Sequence, residues 1–304
     1  MRVASLFCGC GGLDMGFAKA GYDIVWSNDF DKYAVQTYNL NFDHPAVCGD
    51  INNINMDEIP EHDVLIGGFP CQPFSMMGKK KGFDDHRGTL FFKVAEIIQN
   101  QKERGHQPKI LVLENVRNLM THDRGRTFAT IKEELEKLGY NVFSAKLNSN
   151  DYGVPQTRNR VFLVCFLDDI NYKFPEPSRN ELTLQDVLES EVDGKYFLSE
   201  RILKTIMSNG TGGYYAKSEI DLPIARPLTA TMAKMHRACQ DNYVTQERGI
   251  RRLTPRECAR LQGFPEDFKI EVSDAQAYKQ FGNAVTVNVS YAIAKSIMEQ
   301  VNYE

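Results

Sequence analysis

Three stretches of this chain carry residue types that could act together on one substrate. Cys71 stands in Gly67-Gly68-Phe69-Pro70-Cys71-Gln72-Pro73-Phe74-Ser75, directly after the apolar run Val64-Leu65-Ile66. A thiol there lies on the loop at the carboxyl end of a buried strand. The run Ile110-Leu111-Val112-Leu113 ends in Glu114-Asn115-Val116, so a second strand delivers a carboxylate to the same edge of a sheet. Gln156-Thr157-Arg158-Asn159-Arg160 then leads into Val161-Phe162-Leu163-Val164 and brings two guanidiniums. A nucleophile, an acid and two permanent cations at strand ends point to covalent catalysis on a polar, electron-poor ring. A free cysteine ionises near pH ~8.5, so Cys71 needs positive charge nearby, and Arg158 is a candidate source. Each residue alone has a plainer reading. A proline-flanked cysteine packs in a core, a strand-end glutamate caps a turn, and arginines two apart on a strand share a solvated face.

These groups need strands that end together. Up to residue 165, short apolar runs alternate with helical patterns, the signature of a mostly parallel α/β sheet. Strands are expected at Val3 to Phe7, Ile24 to Trp26, Asp63 to Ile66 and Ile110 to Leu113. Helices are expected over Leu13 to Ala20, Lys32 to Phe42 and Thr89 to Arg104. Phe128, Ile131, Leu135 and Leu138 mark another at helical spacing. Asn141 to Leu147 and Val161 to Cys165 are expected to close the sheet as a hairpin pair. After Phe174-Pro175-Glu176-Pro177 the periodicity loosens, and a second, smaller domain is expected there. In the final segment, Asn283 to Val301, Val289, Ile293 and Ile297 recur at helical spacing.

With 304 residues, the chain has room for one large domain and a small one. Its 42% hydrophobic and 25% charged residues are those of an ordinary soluble globular protein. No apolar run approaches the ~20 residues of a membrane helix, so no membrane association is expected. The start, Met1 to Cys8, is too short and too soon followed by glycines for a signal peptide. Seven cysteines with no Cys-x-x-Cys pair argue against a disulfide framework or a zinc site, and for a reducing cytoplasm. The net charge of -4 weighs mildly against a polyanionic partner. Locally the balance reverses: residues 225–260 hold eight basic residues against three acidic ones, and Lys79-Lys80-Lys81 adds a second cluster. Both flank the reactive motifs, which favours phosphate contacts over a merely solvated face.

Taken in order, Phe7-x-Gly9-x-Gly11-Gly12, Pro70-Cys71-Gln72, Glu114-Asn115-Val116, Gln156-x-Arg158-x-Arg160, Arg252-Leu253-Thr254-Pro255-Arg256-Glu257-Cys258 and Gly282-Asn283-Ala284-Val285 resemble the motifs of the DNA (cytosine-5)-methyltransferases. The bacterial restriction–modification members look most similar. Six motifs in family order leave the plainer readings little room. The resemblance implies a Rossmann-like S-adenosylmethionine-dependent methyltransferase domain, mostly parallel with a closing antiparallel strand, plus a small target-recognition domain. The final helix should return to the first domain, giving a discontinuous catalytic domain of residues 1–175 and 277–304 around a recognition domain of 176–276.

The glycines after the first strand would let a ligand approach the backbone at a helix start. Asp14 breaks the dinucleotide pattern G-x-G-x-x-G, which weighs against a nicotinamide dehydrogenase. Asp29, twenty residues past Gly9, is placed for ribose hydroxyls, Phe30 for stacking on adenine, and Asp50-Ile51 for reading its edge. The resemblance assigns S-adenosylmethionine to Phe7, Gly9, Gly11, Asp29, Phe30, Asp50, Ile51, Pro70, Leu90, Asn283 and Val285. Relatives often carry Glu and Trp where Asp29 and Phe30 stand, so a shorter acid shifts the ribose contact.

Cytosine C5 is a poor nucleophile, and thiolate addition at C6 turns the ring into an enamine. Cys71 is the candidate for that addition. Glu114 fits hydrogen bonding or protonation at N3, which burial of the carboxyl favours. By analogy Arg160 bonds the O2 carbonyl, and Asn115 fixes the loop. The target atom is hidden in a stacked duplex, so the base must be extruded. The glycine- and lysine-rich stretch Phe74 to Arg87 suits a closing lid. Candidate DNA contacts are Lys79, Lys80, Lys81 and Arg87 there, and Lys234, His236 and Arg237 beside Thr229, which resembles a phosphate-contacting threonine. Double-stranded DNA is the expected partner of a monomer, with a restriction endonuclease as a genetic partner. An RNA cytosine methyltransferase would share the chemistry, but the Cys-Phe-Thr of the tRNA-modifying relatives is missing here. A catalytically silent DNA-binding relative is disfavoured by the intact Cys71, Glu114 and Arg160.

Overall fold

The computed structural model describes residues 1–70, 90–178, 181–208, 217–234, 236 and 239–301. The chain divides into two compact units. The first is Met1–Leu147, Asn159–Glu176 and Ser290–Glu304; the second is Asn148–Arg158 and Pro177–Val289.

The first unit is built on a seven-stranded sheet of order β3-β2-β1-β4-β5-β7-β6. Its strands are β1 (Arg2–Leu6), β2 (Asp23–Asp29), β3 (Val47–Cys48), β4 (Val64–Gly68), β5 (Ile110–Val116), β6 (Asn141–Asn148) and β7 (Asn159–Phe166). The pairs β1–β2, β2–β3, β1–β4 and β4–β5 are parallel, and β7 runs antiparallel to β5. Val3, Leu65, Val112 and Val164 are completely buried, as strands covered on both faces require. The order reverses between β1 and β4. In such sheets ligands bind outside the carboxyl ends of the strands at that point.

The connecting helices follow from local chemistry. In α1 (Gly12–Lys19) Asp14 occupies the first turn, where the helix dipole favours negative charge. Asp31 caps α2 (Lys32–Asn39) by accepting from the Tyr33 and Ala34 amides. α3 (Leu90–Glu103) buries Phe91, Val94, Ile97 and Ile98, and α4 (Arg126–Lys137) buries Ile131 and Leu135.

The second unit contains α5 (Glu200–Met207), the antiparallel hairpin of β8 (Tyr243–Gln246) and β9 (Gly249–Arg252), α6 (Pro255–Leu261) and α7 (Asp274–Asn283). None of these was expected as an element, although Thr254-Pro255-Arg256-Glu257 carries a legible signal. It forms a capping box with proline in the first turn. The helical pattern expected over Asn283 to Val301 forms as α8 (Val287–Gln300), starting four residues later, after α7 has ended at Asn283. The Ala284 carbonyl accepts from Arg158 Nη2 at 2.8 Å and Gln262 Nε2 at 3.2 Å, taking up an acceptor a continuing helix would use. The unit boundaries also differ from the expected ones. Residues 148–158 and 277–289 belong to the second unit, because Gln156, Arg158 and Gln262 bond within it.

Candidate active site

The turn after β1 is held in a conformation few side chains adopt. Phe7 has φ 56°, Gly9 φ 56° and Gly11 φ 92°, and a non-glycine residue in the left-handed region marks strain kept for a purpose. Asp29 pins the turn: its Oδ2 accepts from the Gly9 amide at 2.9 Å and its Oδ1 from Asp31 at 2.8 Å. Asp29 therefore serves the glycine backbone. The Phe30 ring beside it is 73% exposed, the most exposed of the large apolar side chains described. Asp50 is exposed and bonds Asn52, while Ile51 is buried. A bare glycine turn, an adjacent acid and an uncovered aromatic ring suit a nucleoside-bearing cofactor. Pro70 is exposed and Leu90 half-buried, each bordering undescribed chain. In the second unit Asn283 is exposed and Val285 nearly buried.

Glu114 and Arg160 form the site's ion pair. Glu114 pairs with Phe162 across β5 and β7, and Arg160 pairs with Val116, so both side chains rise from one face, two residues apart. Arg160 Nε lies 2.8 Å from Glu114 Oε1, with the two side chains 20% and 11% exposed. Arg160 also donates from Nη1 to the Asn159 carbonyl at 2.9 Å. Gly68, the last residue of β4, lies beside Glu114 in the sheet. Asn115 Nδ2 donates to the Phe69 carbonyl at 2.8 Å, fastening the backbone that leads to Pro70 and Cys71. Cys71 itself lies outside the described residues, as do Lys79, Lys80, Lys81, Arg87 and Arg237.

Arg158 is engaged within the second unit. It is 1% exposed and donates to three backbone carbonyls, those of Leu228 (3.0 Å), Gly282 (3.0 Å) and Ala284 (2.8 Å). Gln156 does related work, accepting from the Leu228 amide at 2.9 Å and donating to the Leu261 carbonyl at 2.8 Å. The Gln-x-Arg-x-Arg motif is thus divided. Its first two members tie loops inside the second unit, and Arg160 alone joins the carboxylate of the first. The guanidinium keeps its charge while it holds these carbonyls, and the thiol of Cys71 lies outside the described residues.

Among the recognition candidates, Lys234 is exposed. His236 is engaged: its Nε2 lies 2.8 Å from Arg252 Nη2, and its ring stacks on Tyr243. Burial and then the Arg252 guanidinium push it below the ordinary histidine range, so it acts as an acceptor for arginine. That competes with a direct DNA contact. Thr229 Oγ1 is buried and has no partner among the described residues. The backbone beside it is packed so closely that a Cβ on Gly282 would meet the Thr229 carbonyl carbon at 2.3 Å.

The crossover sheet, the glycine turn at its switch point and the acid on the neighbouring strand define a Rossmann-like S-adenosylmethionine-dependent methyltransferase. The chain belongs to the C-5 cytosine-specific DNA methylases, whose family model matches residues 1–299. It is 41% identical over 307 residues to the Type II methyltransferase M.NlaX of Neisseria lactamica, covering 97% of this chain and 96% of the relative. It is 36% identical over 323 residues to M.HhaI of Haemophilus parahaemolyticus, covering 100% and 96%. In fold it is similar to the solved structures of the Entamoeba histolytica methyltransferase EhMeth (TM-score 0.81, 19% identity, covering 100% and 99%) and of S. pombe Dnmt2 (TM-score 0.79, 22% identity, covering 100% of each). The protein is a DNA (cytosine-5-)-methyltransferase that takes its methyl group from S-adenosylmethionine.

Proposed function

We propose that the protein methylates one short duplex sequence through a covalent adduct between Cys71 and C6 of an extruded cytosine. The observation that carries this reading is the Glu114–Arg160 pair beside the end of β4, the strand whose continuation leads to Cys71. The Cys71 thiolate bonds to C6 while Glu114 hydrogen-bonds or protonates N3. Arg160 orients Glu114 and donates to O2, stabilising charge that develops on the ring. S-adenosylmethionine supplies an electrophilic methyl group, which the enamine carbon C5 takes. Loss of the C5 proton to a base, water included, then breaks the Cys71–C6 bond and restores the thiolate. Phe7, Gly9, Gly11, Asp29, Phe30, Asp50, Ile51, Pro70, Leu90, Asn283 and Val285 are the cofactor residues by resemblance. Arg158 acts as a positioning residue.

The first unit is the catalytic domain in this reading, and most of the second reads DNA. Thr229, Lys234 and the basic residues Lys79, Lys80, Lys81, Arg87 and Arg237 supply phosphate or base contacts. His236 acts through Arg252. The Type II relatives support a place in a restriction–modification system; on that reading an endonuclease is the genetic partner and the enzyme acts as a monomer in the cytoplasm. Among the described residues no helix is long and apolar enough to cross a membrane.

Base-resolution bisulfite sequencing of plasmid DNA from cells expressing the protein, beside the Cys71→Ala variant, tests the reading. A short motif protected only by the unaltered protein is expected. Protection persisting in the variant would overturn the covalent mechanism. Protection absent from duplex DNA but present in RNA would overturn the substrate.

A further inference from the structure

The mechanism makes no use of Asp14, although it is fully buried at the start of α1, directly behind the glycine turn. Three hydroxyls from three different elements converge on its carboxylate. Ser5 of β1 donates to Oδ2 at 2.8 Å, and Ser27 of β2 and Tyr38 of α2 donate to Oδ1 at 3.1 and 2.9 Å. Ser27 and Tyr38 also bond each other at 2.8 Å.

This cluster reaches the turn through an aromatic floor. The Tyr38 ring stacks on Phe42 with centroids 4.1 Å apart. Gly11 lies so close above them that a Cβ there would meet Phe42 Cε2 at 2.2 Å and Tyr38 Cδ2 at 3.2 Å. The Gly11 amide donates to the Cys8 carbonyl at 2.9 Å, and the Cys8 amide to Asn28 beside Ser27. The path of the strained turn is therefore set by where the two rings lie. The Tyr38 ring is fixed at its far end by the Asp14 carboxylate.

We propose that Asp14 is a positioning residue for S-adenosylmethionine: gathering the hydroxyls of Ser5, Ser27 and Tyr38, its carboxylate sets the floor on which the Phe7–Gly11 turn rests, and with it the cofactor's binding site. This rests on the cofactor assignment and adds to it a residue that touches no ligand. Each hydroxyl has one proton, so the three contacts among Ser27, Tyr38 and Oδ1 are all bonded only when Asp14 carries a proton, and its ionisation leaves one of them unbonded. The protonation state of Asp14 therefore sets the hydroxyl arrangement beneath the turn. Burial raises the Asp14 carboxyl to about 6, and the three hydroxyls pull the other way. The other titratable groups facing it are Cys8, Cys10 and Tyr38, which burial first and the Asp14 charge among the later causes push up, and Asp29 across the turn.

The test is calorimetric titration of the full chain with S-adenosylhomocysteine at pH 7.5 and pH 5.5, for the unaltered protein, Asp14→Asn and Tyr38→Phe. Asp14→Asn should bind about tenfold more weakly at pH 7.5. It should also lose the change in affinity that the unaltered protein shows between pH 7.5 and 5.5. Tyr38→Phe, which removes one of three hydroxyls and keeps the ring, should lie between them. A substitution that merely loosened the fold would not remove a pH dependence. Binding by both variants within twofold of the unaltered protein would overturn the proposal. So would an unchanged pH dependence in Asp14→Asn, which would assign it to Asp29 or the ligand. If Asp14→Asn does not fold, Tyr38→Phe decides alone, and unweakened binding overturns the role. Failure of the unaltered protein to bind S-adenosylhomocysteine would overturn the cofactor assignment, and this inference with it.

Discussion

The two units each contain an arginine–glutamate pair, and they differ in almost everything but residue type. In the first unit Arg160 meets Glu114 through one contact at strand ends, with both side chains partly open. In the second, Arg251 and Glu257 are completely buried and joined by two parallel bonds of 2.8 and 2.7 Å. The second pair is also closed off all round. Glu257 accepts from the Thr254 and Glu189 amides at 2.8 Å each, and Arg251 donates to Gln246 and to the Arg252 carbonyl. A buried pair so fully satisfied is a joint: it fixes the β8–β9 hairpin and α6 to the residue 189 loop. A partly open pair at strand ends keeps a surface for a substrate. Exposure, more than charge, separates the site from its scaffold.

Substitutions can break or sharpen this contrast. The largest effect should come from Glu114→Gln, which keeps shape and loses the acid. Turnover should fall by about 10²–10⁴-fold with cofactor binding retained, and wild-type kcat in that variant would remove Glu114 from the chemistry. Arg251→Met should leave catalytic groups untouched and instead strand a buried carboxylate, costing about 3–5 kcal/mol in denaturant unfolding. An unfolding midpoint equal to that of the unaltered protein would mean the pair is no joint.

Asp14 offers a third, intermediate case, a buried carboxyl met by three hydroxyls and no cation among the described residues. Its folded value of about 6 lies above the ordinary carboxylate value near ~3.9. The folded state therefore holds its proton more tightly than the unfolded one. The stability it contributes is fully present below pH ~4, declines as pH rises through about 6, and is gone above that. Comparing unfolding of Asp14→Asn with the unaltered protein should show the variant gaining, on the order of 1–3 kcal/mol, between pH 4 and 7. A gap constant with pH would refute this. Smallest of all is the exposed pairing of Lys137 with Glu133 and Glu134 on α4. Lys137→Ala should leave melting temperature and turnover unresolved from the parent, since solvent screens such pairs.

Much of the site was legible because its signals are local. Apolar runs followed by Cys71 and Glu114, and one preceded by Arg160, mark strand ends, and the spacing from Gly9 to Asp29 marks two neighbouring strands. Less legible was the division of labour within Gln-x-Arg-x-Arg. Arg158 and Arg160 are two residues apart, yet their side chains meet groups from distant parts of the sequence, Gly282 and Leu228 in one case and Glu114 in the other. The engagement of His236 was illegible for the same reason, because its partner Arg252 lies sixteen residues along in sequence. The hairpin and helices of the second unit were missed because each is short: α5, α6 and α7 run only 8, 7 and 10 residues, so the few apolar residues they bury, such as Ile206, Leu261 and Phe281, make no sustained period.

The sequence by itself determined the class of sheet, the strand ends that carry the reactive groups, and the chemistry those groups share. Strand periodicity and glycine placement depend on neighbours along the chain. The tertiary structure alone decided which arginine meets the acid, which ones fasten carbonyls, and that Asp14 is a buried keystone under the glycine turn. Those outcomes depend on which donors and acceptors are left facing one another once the elements pack, and a buried group must take the partners it finds.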